Sequence, residues 1–201
     1  MTWVSLDDLV AEVRVTLDEN AVQSPYIVAN ADNLELDGII RAKIPEAARD
    51  VTETASVELL EPVPMGTTVS TREGGGVLSI PDDFLRLVSL RMKGWNRSVT
   101  VAAAEGSDID RMQRNKYTRG TATKPVCVLS HDDSGKKILE YFGASDSVEK
   151  ALYMPIPKVD VMDGVEKIGI SILLKQAIVR RAAGLTLLSR GETEVASAYL
   201  Q

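Results

Sequence analysis

Apolar residues recur at helical spacing near both ends of the chain and at alternate positions through its middle. This double change of period constrains the fold more than any single motif. The first change falls at Val77-Leu78-Ser79-Ile80-Pro81-Asp82-Asp83-Phe84-Leu85-Arg86-Leu87-Val88-Ser89-Leu90-Arg91, where a strand-like stretch follows a long helical one. Two amphipathic helical segments far apart in sequence bury their stripes most simply against each other. The order therefore predicts an α+β fold, an antiparallel helical bundle stem with an inserted antiparallel β-sheet or sandwich domain. The expected divisions are residues 1–64 for the N-terminal stem helices, 65–157 for the β-rich insert, and 158–201 for a C-terminal stem helix and tail.

Within that frame, Ser5 reads as an N-cap with Asp7 and Asp8 in the first turn, where carboxylates complement the helix dipole. Leu6, Leu9, Val10, Val13 and Leu17 then mark one face of a helix over residues 5–19. A loop containing Ser24-Pro25 leads to a second helix, capped by Asp32 or Asn33 and running to about residue 60. Pro45 should kink or break it near Lys43-Ile44, and Pro62 and Pro64 should stop it. Gly74-Gly75-Gly76 reads as a mobile turn before a short strand over residues 77–80. Further strands are expected over residues 85–92, 98–102, 125–130, 136–142 and 148–154, with a short polar helix over 108–117. His131-Asp132-Asp133-Ser134-Gly135 is a hairpin turn between two of these strands. From Val165 the helical period returns through Ile168, Ile172, Leu173, Ala177, Ile178, Ala182, Leu185 and Leu188. A helix of about 27 residues there would span about 40 Å.

Chemistry finds little purchase in this sequence. His131 is the single histidine and has no cysteine neighbour with zinc-ligand spacing. No Gly-x-Ser-x-Gly elbow exists, and the glycine triplet lacks the Lys-Ser/Thr of a phosphate loop. Asp82-Asp83 are simplest as turn formers. The expectation is a non-enzyme with no catalytic residue, cofactor or metal. Cys127, within Val126-Cys127-Val128-Leu129, reads as a buried inert thiol. No leader and no run of about 20 apolar residues is present, so the expected protein is soluble and has no membrane partner. A net charge of −6 argues against bulk electrostatic capture of nucleic acid. One local exception is Arg111-Met112-Gln113-Arg114-Asn115-Lys116-Tyr117-Thr118-Arg119. Its cations Arg111, Arg114, Lys116 and Arg119, with Tyr117, suit contact with DNA or an acidic partner. A solvated helix face or subunit salt bridges would give the same pattern.

The phrase Ile80-Pro81-Asp82-Asp83-Phe84 with its following strand and Trp95 carries a family resemblance. So do Tyr141-Phe142-Gly143-Ala144 and Ala151-Leu152-Tyr153-Met154-Pro155. Together with the order of segments, the chain resembles the head-to-tail adaptor proteins of tailed bacteriophages, particularly the connector or tail tubular gatekeeper-like proteins of short-tailed, podovirus-like phages. The resemblance implies a virion structural protein at the portal vertex, made in the host cytoplasm. It implies a homo-oligomeric ring, commonly of twelve subunits, joining the portal protein to tail or tail-nozzle proteins. Double-stranded DNA would pass through the ring in transient contact. It also implies a C-terminal segment that grips the portal, here Glu192, Val195, Ala198, Tyr199, Leu200 and Gln201. The alternative is another virion ring or decoration protein, or a non-catalytic binding module, without DNA contact.

Overall fold

The computed structural model describes residues 1–20, 31–66 and 68–200. The loop expected after the first helix, and Gln201, fall outside the described residues, as do the side chains of the expected caps Asp32 and Asn33. The chain forms two units, Met1–Glu61 with Pro157–Gln201, and Pro62–Ile156 between them in sequence.

The terminal unit opens with strand β1 (Thr2–Ser5), helix α1 (Leu6–Asn20) and helix α2 (Ala31–Thr54). Ser5 Oγ accepts from the Asp8 N–H at 3.4 Å, satisfying one orphan donor of α1. Leu6, Leu9, Val10 and Val13 are buried along one stripe, as the helical spacing requires. Pro45 lies inside α2 without ending it. Its neighbours Ile44, Ala47 and Ala48 are at most 1 % exposed, so packing holds this segment helical despite the missing N–H. A 3-10 turn, Val57–Leu59, follows.

The second unit contains β2 (Val63–Pro64), β3 (Val69–Arg72), β4 (Gly75–Ser79), β5 (Phe84–Met92), β6 (Ala103–Ala104), α3 (Asp108–Gln113), β7 (Val126–His131), β8 (Lys137–Phe142) and β9 (Val148–Pro155). One sheet has the order β2-β9-β5 and the other β3-β4-β8-β7-β6. They share a core of Met65, Leu78, Ile80, Phe84, Leu87, Leu90, Met92, Trp95, Cys127, Leu139, Tyr141 and Tyr153. Asp132 Oδ1 accepts from Ser134 Oγ and from the Ser134 and Lys136 N–H groups, building the β7–β8 hairpin turn. The strand expected over 98–102 reduces to a bridge between Leu90 and Val99, and β6 pairs with β7 in parallel. The glycine triplet is not a loose loop. Gly74 makes the turn at φ +79°, while Gly75 and Gly76 are buried members of β4.

Beyond the second unit the chain continues through β10 (Val159–Met162), β11 (Val165–Ile170), α4 (Lys175–Ser189) and α5 (Thr193–Leu200). Strands β1, β11 and β10 form a third sheet in that order.

This arrangement overturns the expected antiparallel helical bundle stem. The described residues form a mixed α+β fold with five α-helices and eleven strands in three sheets. The segment expected to begin a helix of about 27 residues is a hairpin, and α4 has 15 residues, about 22 Å at 1.5 Å per residue. Asp163 and Gly164 both take positive φ, 55° and 77°, forming a two-residue turn between β10 and β11. Ile168 and Ile170 then face the core at period two. Ile168 also lies at helical spacing from Val165 and Ile172, and that coincidence produced the longer-helix reading.

In the terminal unit α4 buries Ile178, Val179, Ala182, Ala183 and Leu187, and α2 and α1 pack against it. Arg41 pairs with Asp7 of α1 and, at 2.6 Å, with Glu166 of β11. Arg181 Nη2 lies 2.9 Å from Asp50 of α2, and Lys175 pairs with Glu12 of α1. These pairs are partly exposed, so the apolar contacts supply most of the stability.

One pH dependence follows from the core of the second unit. Burial, and then the hydrogen bond from its hydroxyl to Asp83 Oδ1 at 3.1 Å, pushes Tyr153 up to about 12. A phenol that titrates near 10 when unfolded and higher when folded contributes its stability fully below pH ~10. That contribution is lost as pH rises from about 10 through about 12. Alkaline unfolding curves should therefore fall less steeply over this window in Tyr153→Phe than in the parent chain. Tyrosinate absorbance should show one fewer late-titrating tyrosine in the variant; identical titrations would remove the basis for this expectation.

Candidate functional site

Two surfaces hold the residues singled out in the sequence. On the second unit, Ser107 Oγ caps α3 by accepting from the Asp110 N–H at 3.3 Å. Asp110 is buried; its Oδ2 accepts from the Gly106 N–H at 2.9 Å, and Arg114 Nη2 lies 3.0 Å from Oδ1. The same guanidinium reaches to 3.6 Å from Glu140, a buried carboxylate that also accepts from Ser130 Oγ at 3.1 Å. Arg119 donates to the carbonyls of Gln113 at 3.0 Å and Glu73 at 2.8 Å, clamping the segment after α3 to the turn before β4. Arg111 lies 3.5 Å from Asp108. Lys116 Nζ sits 5.0 Å above the Tyr117 ring, a cation–π contact. The basic run is thus divided: Arg114 and Arg119 build the local fold, while Arg111 and Lys116 stand at the surface.

On the terminal unit, residues of the expected docking segment form α5, which packs back on α4. Ala196 is buried, and Leu200 and Tyr199 close over Gly184, where a Cβ would come within 2.7 Å of Leu200 Cδ2. Tyr199 donates its hydroxyl to the Thr16 carbonyl at 3.3 Å. Glu192 lies 3.5 Å from Arg190. Val195 and Ala198 remain exposed. Between α2, α4 and α5 runs an open groove of about 850 Å³, lined in part by Asp50, Arg180, Arg181, Tyr199 and Leu200. Arg180 and Arg181 sit in the body of α4, Arg181 bonded to Asp50.

His131 Nδ1 faces Glu105 at 3.2 Å across the surface. Cys127 is 1 % exposed, and burial pushes its thiol up, away from thiolate chemistry. Among the described residues no three His, Cys, Asp or Glu side chains converge as a metal would require. No described helix is long and apolar enough to cross a membrane.

Sequence reasoning passed over Ile109 and Met112, 49 % and 56 % exposed on α3. Their signal was present as an i, i+3 apolar pair in an otherwise polar helix, normally a buried face.

No protein-family model matches this chain, and comparison with curated proteins finds no match either.

Proposed function

We propose that this chain is a virion structural protein, a ring-forming head-to-tail adaptor that joins a portal to a tail and surrounds the DNA channel. One observation carries the reading: Ile80, Phe84, Trp95, Tyr141, Ala151 and Tyr153, from each of the phrases behind the adaptor resemblance, meet in a single core. Phe84 of the Ile-Pro-Asp-Asp-Phe phrase stacks on Tyr153 with ring centroids 5.8 Å apart. Trp95 meets Tyr141 edge-on at 6.1 Å and donates to the Gly143 carbonyl at 2.9 Å. Phrases scattered over some seventy positions thus act as one packing unit, which supports treating them as a structural signature. The partners in this reading are further copies of the chain, the portal protein, tail or tail-nozzle proteins, and passing double-stranded DNA.

A second reading, a virion ring or decoration protein or a binding module without DNA contact, draws on the basic segment. Arg114 and Arg119 are engaged by carboxylates and carbonyls of their own unit, which leaves less charge for phosphates.

Electron microscopy of the vertex of purified particles tests the adaptor reading, with a symmetric ring of this chain beneath the portal as the expected result. Mass photometry should show ring-sized species, at least when portal is added; monomers under both conditions would overturn it. Portal docking is best probed with Val195→Asp plus Ala198→Asp, which should weaken binding by roughly tenfold or more without changing the unfolding curve. Removing residues 192–201 would also strip Tyr199 and Leu200 from Gly184, confusing docking with folding.

A further inference from the structure

Charge is divided unequally between the two units. Met1–Glu61 with Pro157–Gln201 hold ten Lys and Arg against eighteen Asp and Glu, a balance of −8. Pro62–Ile156 hold thirteen against eleven, a balance of +2. Each unit also exposes an apolar patch whose flanking charge matches this bias.

On the acidic unit the patch is made by two 3-10 turns, Val57–Leu59 and Ile172–Leu174. Ser171 Oγ donates to the Leu59 carbonyl at 2.6 Å, and the Ile172 N–H donates to Glu61 Oε1 at 3.0 Å, so the turns are clipped side by side. The first turn buries none of its residues. Val57, Leu59, Ile172 and Leu173 are 37 %, 40 %, 48 % and 65 % exposed, and the exposed carboxylate of Glu58 lies among them in sequence. On the basic unit, Ile109, Met112 and Tyr117 are exposed beside Arg111 and Lys116. Apolar side chains gathered with matching charge mark contact surfaces. A patch that differs from its complement, repeated on every copy, makes a head-to-tail contact that closes into a ring when the rotation allows.

We infer that the clipped 3-10 turns of one copy dock on the α3–Tyr117 face of the next copy, Glu58 meeting the cations Lys116 and Arg111. This inference rests on the ring reading above and assigns its subunit contact. The occupant of each patch is a second copy of this chain. Apolar contact supplies affinity, while the opposed charges set register and direction.

The test uses the full chain. Leu173→Cys and Met112→Cys are made separately, mixed, and treated with a short bis-maleimide. Burial protects Cys127 from the reagent. A dimer in the mixture that neither variant gives alone is the expected result, and it can only arise between chains. Glu58→Lys and Lys116→Glu should each weaken self-association by roughly tenfold, and the double variant should recover it. All the substituted side chains are exposed, and unchanged thermal unfolding verifies the fold of each variant. If rings form but Leu173→Asp and Met112→Asp leave them intact, this contact is overturned while the adaptor reading stands. If the parent chain stays monomeric alone and with portal, both fall.

Discussion

Trp95→Ala lowers the unfolding free energy by about 3–5 kcal/mol, the largest loss expected from a single truncation in this chain. The indole is 2 % exposed and lies where both sheets of the second unit contribute to the core. Alanine there loses the burial of a large aromatic surface and leaves a cavity that stiff neighbouring strands can only partly close. It also removes the N–H that Gly143 accepts at 2.9 Å, stranding a carbonyl at a residue held at φ +115°. Trp95→Phe separates these contributions. It keeps most of the ring volume and should cost about 1–3 kcal/mol, dominated by the unsatisfied carbonyl. Urea unfolding followed by far-UV circular dichroism measures both variants. Trp3, 40 % exposed in the other unit, remains as a fluorescent reference. A loss below about 1 kcal/mol for alanine would show that the indole is not packed as described.

The second large effect comes from adding one methyl group. In Gly75→Ala the new Cβ would stand 2.0 Å from the Tyr141 carbonyl oxygen, a backbone atom fixed in the pairing of β4 with β8. Because a carbonyl in a ladder cannot swing aside, the strands must separate or shift, at a cost of about 3 kcal/mol. Gly76→Ala meets Ser70 O at 2.6 Å and the Tyr141 hydroxyl at 2.4 Å, so it should behave similarly. Gly38→Ala is the control. It lies exposed in α2 with nothing within 4 Å of its Cβ position, and should stabilise by about 0.5–1 kcal/mol. Thermal unfolding of the three variants decides the point. A mobile glycine loop would tolerate or gain from alanine at Gly75, whereas a close-packed strand rejects it.

That contrast shows where local sequence stopped being informative. Three consecutive glycines carry no side-chain period, so nothing in the sequence distinguishes a hinge from a strand pressed against a neighbour. The close approach depends on β8, more than sixty positions away. The α3 segment poses a similar problem. Its four cations look alike in sequence, yet Arg114 spans Asp110 and Glu140 while Lys116 rests over a ring. The separation follows from where β8 places Glu140, which no spacing rule encodes. The hairpin of β10 and β11 was different, since Asp163-Gly164 between β-branched runs is a recognised two-residue turn signal. The sequence reading passed over it, because the apolar residues that follow also fit a helical period.

The amino-acid sequence by itself determined the elements whose side chains repeat strongly and whose ends are marked. Helix α1 starts at its serine cap, and β5, β7, β8 and β9 lie within a residue or two of their alternating runs. Local sterics and the burial period suffice for those, because each residue's preference agrees with its neighbours'. Only tertiary structure decided that α2 runs on through Pro45, that the end of the chain folds back on Gly184, and that the terminal thirds include a third sheet. In each case contacts between residues distant along the chain outweigh local preferences of about 1–3 kcal/mol, and such contacts exist only once the chain has folded.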